Sequence, residues 1–515
     1  MENFYQCSNN PMHSPIVGKI NSLQIEYFFI LIIISLGLLL SRAKREHFHI
    51  PICTTKHSFF KFWNRILRLE LHLYYRDLMP DNPFPIFRTL FFGHEMIILQ
   101  DPNDIKYVMN NRPEKYIRGK DVSDAINVNG SNVVGLEGHH WKTQRKFTAS
   151  PFNTLKINRM DRDINDYSNR IMTRLSRSID NPQCGIEVNI SNETVCYTLD
   201  AIFKIAFGFE LNLIEKSRFN EISRIAEYTS YGFPIVQKRV FSPFPYWRLF
   251  KTPTEKRFEL LRELAYQVKD EIKYQWNSPH FEKTELLSGL FQEREQGIID
   301  DESFVCNLMV YMITGHETSA KTLANFIWMV SENPEIQEKL QQEIDRELSI
   351  LQSQLGHNLE NLSFHHLDNF KYLQQVLLET LRLKPIVPVV FLEANQDDII
   401  NGHTEIYEGA RIVIPYEMIY RSEKYFPNAD QFDPERWSGV LFDHCNEHHL
   451  FPFGYGPKIC PGRKLVKMEV LIYLIKFFKC FNVSPPTTPS HKNISEHLDF
   501  VLSTDKPIYV TIKNR

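Results

Sequence analysis

Eight cysteines are spread thinly through 515 residues, and no two of them form a C-x-x-C pair. That spacing excludes a zinc ribbon and a disulfide scaffold, and it suits a main body kept in a reducing compartment. A surplus of one charge is lacking too. The chain carries 59 Lys and Arg against 62 Asp and Glu, a formal net charge of −3, so nothing global points to nucleic acid as a partner. No internal repeat and no second domain can be read. Apolar residues are not lacking: 43% hydrophobic and 13% aromatic is ample material for one large core. Glycine is scarce, 20 in all, so a place where it crowds stands out.

One long apolar run is present, Leu23 to Leu40, interrupted only by Gln24, Glu26 and Ser35. As a helix it reaches roughly 27 Å, enough for a thin bilayer. Arg42, Lys44 and Arg45 follow at once, which places the residues after 41 on the cytosolic side. A cleaved signal peptide and a buried helix are the competing readings. The basic flank lies on the wrong side for a signal peptide. The expected division is residues 1–45 as an N-terminal segment with an anchor over about 23–40, and residues 46–515 as the catalytic domain.

Glycine crowds at Phe453 to Gly462, FGYGPKICPG, around Cys460. Glycine and proline at this density fix an irregular backbone with close approaches. The following residues, Arg463 to Phe478, read as an apolar helix. A thiol on a rigid loop before a helix N-terminus is placed to ionise. It suits a nucleophile, a metal ligand or a buried structural cysteine in a tight turn.

In chain order, Phe59 to Tyr75 is amphipathic and aromatic-rich, and Ile86 to Gln100 reads as one or two strands. Asp101-Pro102 starts a helix. Trp141 and Arg145 share one helical face at i,i+4, on what is otherwise a basic, solvated helix. Residues 155–230 look helical throughout, and four prolines then interrupt the aromatic segment Tyr231 to Phe250. Cys306 to Val330 is a helix apolar almost all round, hence buried, yet it contains Thr314-Gly315-His316-Glu317-Thr318-Ser319. Gly315 costs that helix about 1 kcal/mol relative to alanine, which a bulky ligand opposite it would explain. The hydroxyls could equally bond back to i−4 carbonyls. Tyr372 to Leu383 is a further helix, with Glu379 and Arg382 at i,i+3; Arg436 lies in a turn-rich stretch, and the tail from Phe500 to Lys513 ends in strand-like alternation.

Phe-x-x-Gly-x-Lys-x-Cys-x-Gly resembles the haem-binding loop of cytochrome P450 enzymes, in which the cysteine thiolate is the proximal iron ligand. The resemblance implies that Cys460 is the axial ligand of haem b, with Phe453, Gly456, Lys458 and Gly462 around it. Lys458 stands where most members have Arg or His. The string around Gly315 is similar to the family's oxygen-activation stretch, which makes Glu317 and Thr318 an acid–alcohol pair for proton delivery. Thr314 replaces the small residue usual there and cannot esterify the cofactor, so the haem is expected to be held without a covalent bond other than the thiolate's. Trp141 and Arg145 would reach a haem propionate. Glu379, Arg382 and Arg436 would form a buried triad behind the cofactor. Leu392 occupies the place of a propionate-binding Arg, which leaves other propionate partners to be identified. Val387, Val389, Val390 and Phe391 would face the pocket or pack the sheet beside it.

These motifs occur in family order, and the resemblance covers about residues 50–515. It implies a mainly α fold with a small β lobe, behind an N-terminal membrane-anchor helix. The implied activity is haem-thiolate monooxygenation, one oxygen atom of O2 entering a lipophilic substrate such as a fatty acid or sterol. No flavin- or nicotinamide-binding segment fits in the remaining residues, so electrons are expected from NADPH-cytochrome P450 reductase, with cytochrome b5 as a further candidate partner. Lys458, Arg463, Lys464 and Lys467 would crowd the docking face for that partner. The place implied is the endoplasmic reticulum membrane, spanned once, with a cytosolic catalytic domain. Two other readings are a haem-thiolate isomerase or dehydratase of hydroperoxides, which the acid–alcohol pair disfavours, and a non-enzymatic gas sensor.

Overall fold

The β-branched residues between 86 and 100 form two paired strands, and Asp101 ends them by capping a helix: its side chain accepts from the Asn103 N–H at 2.8 Å. The computed structural model describes residues 47, 49–51, 84–91, 94–127, 130–179, 185–242, 245–249, 251–279, 281–355 and 361–515. The expected anchor over 23–40, its basic flank and the amphipathic stretch Phe59 to Tyr75 lie outside them. Among the described residues no helix is long and apolar enough to cross a membrane.

The elements that place the site are β1 (Ile86–Phe91), β2 (His94–Leu99), α1 (Pro102–Asn110), β3 (Tyr116–Ile117), α2 (Gly138–Ala149), α3 (Asp161–Arg177), β4 (Ile186–Asn189) and α4 (Ile190–Phe207). They continue with α5 (Gly232–Val240), α6 (Pro253–Gln275), α7 (Glu285–Glu295), α8 (Asp301–Ser331), α9 (Pro334–Leu355) and α10 (Lys371–Leu383). After these come β5 (Val389–Ala394), β6 (Asp398–Ile400), β7 (Thr404–Ile406), β8 (Arg411–Pro415), α11 (Arg463–Cys480), β9 (Phe481–Ser484), β10 (Glu496–Asp499), β11 (Val501–Thr504) and β12 (Tyr509–Asn514). The largest sheet runs β1-β2-β8-β5-β3, antiparallel except between β2 and β8. A second, β4-β12-β9, joins the middle of the chain to its end. Helix with small sheets is the architecture that the sequence implied.

One expectation needs correction. Residues 155–230 are not helical throughout: β4 separates α3 from α4, and Gly208, at φ +74°, stops α4. Strand β4 is short and recruited by β12, a pairing across more than 300 residues that local propensity does not carry. The proline-rich aromatic segment is helical in part, because Pro234 sits in the first turn of α5, where its missing N–H has no intrahelical partner to lose.

Helix α8 starts at Asp301 rather than Cys306, with the Asp300 carboxylate accepting from the Ser303 N–H at 2.8 Å. It packs against α4, α6, α10 and α11. Leu323, Phe326, Ile327 and Val330 have no exposed surface, and burying each contributes about 1.5–3 kcal/mol.

Candidate active site

Helix α11 begins at Arg463, and the turn before it closes on itself through the Cys460 N–H to the Phe453 carbonyl at 2.9 Å. Gly456 is at φ +72°, and a Cβ there would lie 2.4 Å from the Met109 carbonyl oxygen of α1. Only glycine fits both the conformation and the space. Burial pushes the Cys460 thiol up; the N–H groups of Gly462 and Arg463 and the charges of Arg145 and Arg463 act against it. Burial thus disfavours a bare thiolate in this turn, and a cation bound to the sulfur would offset that cost.

Trp141 and Arg145 come from α2, as their spacing predicts. The Arg145 guanidinium donates to the carbonyl of Ile459, next to the thiol, and the buried Trp141 ring lies between Arg145 at 6.0 Å and Lys458 at 4.9 Å. Lys458 is buried; its ammonium donates to the Leu136 carbonyl at 2.9 Å and pairs with Glu137. Glu137 also accepts from Arg112 at 3.3 Å and from the Arg118 backbone N–H at 3.0 Å. Burial lowers Lys458 to about 7, with Arg112 and Arg118 adding to the effect and Glu137 opposing it. Arg118 is likewise lowered to about 10, by burial and by Arg112. Two cations, Arg112 and Lys458, thus pair with one carboxylate, the Arg118 guanidinium donates to the Val134 carbonyl, and Arg112 Nε is buried without a hydrogen-bond partner. Neither Arg112 nor Arg118 was singled out from the sequence. Their arginines flank a proline, and nothing local marks them as converging on a loop 340 residues away.

Away from its two ends, α8 is buried almost all round except for Val310, Thr314, Gly315, Thr318 and Lys321. These residues recur at helical spacing, so they are one partly exposed stripe on a core helix. Partial exposure recurs on Cys460, Val390 and Phe391, and Val387 is exposed. Thr318 Oγ1 donates to the Thr314 carbonyl at 3.0 Å and Thr314 Oγ1 to that of Val310 at 2.7 Å, the back-bonding foreseen as an alternative. Glu317 is buried and ion-paired with Lys321 at 2.9 Å, with its other oxygen unpartnered. His316 is pinned inside: Nδ1 donates to the Met312 carbonyl, and Nε2 lies 3.3 Å from Thr229 Oγ1. Burial lowers it to about 4, so it stays neutral. Gly315 does not make room for a ligand. A Cβ there would meet the Ile202 side chain of α4 at 2.7 Å, so the glycine serves a helix–helix contact.

Glu379, Arg382 and Arg436 converge as expected. Glu379 is fully buried and accepts from Arg382 at 2.7 and 2.8 Å and from Arg436 at 3.0 Å. It also accepts from the Asp433 N–H and the Trp437 indole N–H, both at 2.9 Å. Arg382 holds the carbonyls of Tyr420 and Ala429 at 2.6 Å and of Gln431 at 3.0 Å. Two of the four expected docking charges are not on a surface. Besides the buried Lys458, Lys467 is 3% exposed, paired with Asp368 at 2.8 Å and Asp443 at 2.9 Å.

Residues 56–512 match the family model described as Cytochrome P450. The chain belongs to the cytochrome P450 family. Among curated relatives, it is similar to "Cytochrome P450 6j1" of Blattella germanica, 25% identical over 85% of this chain and 90% of the relative. It is also similar to "Cytochrome P450 94C1" of Arabidopsis thaliana, 24% identical over 91% and 94%, and to "Cytochrome P450 3A6" of Oryctolagus cuniculus, 24% identical over 76% and 78%. This P450 is accordingly an enzyme, a haem-thiolate monooxygenase whose cofactor is haem b with a cysteine thiolate as axial ligand.

The residues present fit that cofactor. A buried sulfur at the N-terminus of α11, with two backbone N–H groups and two arginines acting to ionise it, suits an iron ligand. Among the described residues, Val310, Thr314, Thr318 and Lys321 give α8 a partly exposed stripe within an otherwise buried helix. Three clustered cations, two of them paired with one carboxylate and one with a buried nitrogen unpartnered, suit a ligand that brings two carboxylates of its own. Leu392, 3% exposed and in register with Ile412, takes no part.

Proposed function

We propose that this P450 inserts one oxygen atom of O2 into a lipophilic substrate, with electrons from a separate NADPH-dependent flavoprotein reductase and with Cys460 as the iron ligand. The observation that carries the reading is the Cys460 turn, in which the backbone N–H groups of Gly462 and Arg463 act to ionise a buried thiol. The bound cofactor supplies oxygen activation, and its thiolate ligand favours O–O cleavage. The chain's own residues do the rest. Gly462 and Arg463 hold and tune the sulfur. Arg112, Arg118 and Lys458 take the two propionates, and Arg145 and Trp141 close that side. Phe453 and Gly456 shape the loop beneath the cofactor.

The Thr318 hydroxyl, which here donates to the Thr314 carbonyl, would position a proton donor, and Glu317 would pass protons inward from its carboxyl. Val310, Val387, Val390 and Phe391 are apolar and partly exposed, which favours a fatty acid, sterol or similar molecule over a charged one. Glu379, Arg382 and Arg436 hold the segment behind the cofactor. Residues 1–45 form the anchor segment ahead of a catalytic domain over 46–515, placed at the endoplasmic reticulum membrane. The partner is NADPH-cytochrome P450 reductase, with cytochrome b5 as a second donor. Arg463 and Lys464, half-exposed at the start of α11, remain to meet it.

The reduced, CO-bound difference spectrum tests the ligand, and reductase-dependent NADPH consumption with product formation tests the reaction. A thiolate-type band that Cys460→Ser abolishes is expected. A nitrogen-ligated spectrum in well-folded protein removes Cys460 from the iron.

A further inference from the structure

An ion pair at i,i+4 on a helix is ordinarily a surface ornament contributing a few tenths of a kcal/mol. Glu317 and Lys321 differ in three respects. The Glu317 side chain is 9% exposed, and its one partner among the described residues is Lys321, at 2.9 Å. The second carboxylate oxygen is buried with no hydrogen bond. The ammonium does not end in water alone: Lys321 Nζ donates to Ser503 Oγ at 2.6 Å, on the β10–β11 hairpin, while 23% of the lysine side chain stays exposed. A polar path of carboxylate, ammonium and hydroxyl therefore runs from the centre of α8 to the hairpin.

The hairpin is itself fixed at its turn. The Phe500 N–H donates to Gln237 Oε1, and Gln237 Nε2 donates to the Leu498 carbonyl, both from α5. The Phe500 ring stacks on Phe233 of α5 at 6.0 Å. Ser503 pairs across the hairpin with His497, which is bonded to Asp499 at 2.7 Å. The groups facing Glu317 are thus Lys321 from its own helix and Asp499 from the hairpin. Burial raises the Glu317 carboxyl, Lys321 opposes this, and Asp499 adds to it.

We propose that Lys321 is a positioning residue for Glu317: braced by Ser503, it holds the buried carboxylate charged and oriented, with the unpartnered oxygen free to pass on a proton. The inference rests on the reading of Glu317 as the proton-delivering acid. Without Lys321 the carboxyl faces burial and Asp499 with no cation, and it keeps its proton.

The test uses the full-length, haem-loaded protein. Infrared difference titration follows the Glu317 carboxyl band, identified by its loss in Glu317→Gln. Coupling, product formed per NADPH, is followed against pH in parallel. Lys321→Met is expected to bind the Glu317 proton about tenfold or more tightly and to move the coupling profile to higher pH; Lys321→Arg restores both. Ser503→Ala shifts them in the same direction by less. An infrared midpoint unchanged in Lys321→Met overturns the proposal. Should that variant not fold, an unchanged midpoint in Ser503→Ala overturns it instead. If Glu317→Gln couples like the parent, the acid role of Glu317 fails, while the infrared midpoint still decides whether Lys321 governs the carboxyl.

Discussion

Glu379 shows how much one side chain can organise. Its carboxylate, with no exposed surface, takes five hydrogen bonds, from Arg382 twice, Arg436, Asp433 and Trp437. A buried pair contributes little net stability against an apolar replacement, but removing one partner strands the other charge. Glu379→Gln should destabilise by about 3–5 kcal/mol and yield protein with little haem, read from urea unfolding and the ratio of haem to protein absorbance. Normal haem content in Glu379→Gln would remove the triad from cofactor retention. This group was legible in the sequence because the i,i+3 pair and the resemblance met on the same residues. Lys458 and Lys467 were not. Both were expected among the docking charges, Lys458 also beside the cofactor, and each is buried by acidic partners distant in sequence, Glu137 for the first and Asp368 and Asp443 for the second. A lysine's burial is decided by what the fold brings to it, which one helix cannot show.

Helix α8 was legible as an element for the opposite reason: its apolar residues cover every face, and only a core position satisfies that. Its one glycine was harder. A glycine amid acid and hydroxyl residues suggested space for a ligand, whereas α4 fills that space with Ile202. The same device recurs two residues away, where a Cβ on Gly232 of α5 would meet Ile313 of α8 at 2.5 Å. Close helix approach needs small residues at the contact, and sequence alone does not say which partner approaches. Gly315→Ala gains about 1 kcal/mol of helix propensity but overpacks the contact at a cost of about 1–3 kcal/mol. The variant should therefore be less stable. Combining it with Ile202→Ala should cost at least about 1 kcal/mol less than the sum of the single changes in a double-mutant cycle. Additive behaviour would mean that Ile202 moves aside freely and that Gly315 has another purpose.

At the scale of the whole molecule, the sheet β4-β12-β9 closes the chain by joining residues near 187 to the last thirty. Alternation in the tail announced β12, but its partner β4 lay in a stretch that reads as helix, so the closure itself was not legible. One carboxylate clasps it. Glu187, paired with Thr511 across β4 and β12, accepts from the N–H groups of Thr487 and Thr488 at 2.7 Å, from both their hydroxyls, and from His491 at 2.7 Å. His491 in turn stacks on Tyr509 at 3.7 Å. Burial acts to raise this carboxyl, and the hydrogen bonds from Thr487, His491 and Thr488 outweigh it, bringing it to about 2. A folded carboxylate below its unfolded value binds fewer protons than the unfolded chain does. Its contribution is therefore full above the ordinary glutamate range and is lost as pH falls toward 2. In Glu187→Gln the parent's advantage, measured by urea unfolding, should shrink by about 1 kcal/mol between about pH 6 and about pH 3.5. A gap of equal size at both pH values would show that the clasp works through its shape and not through its charge.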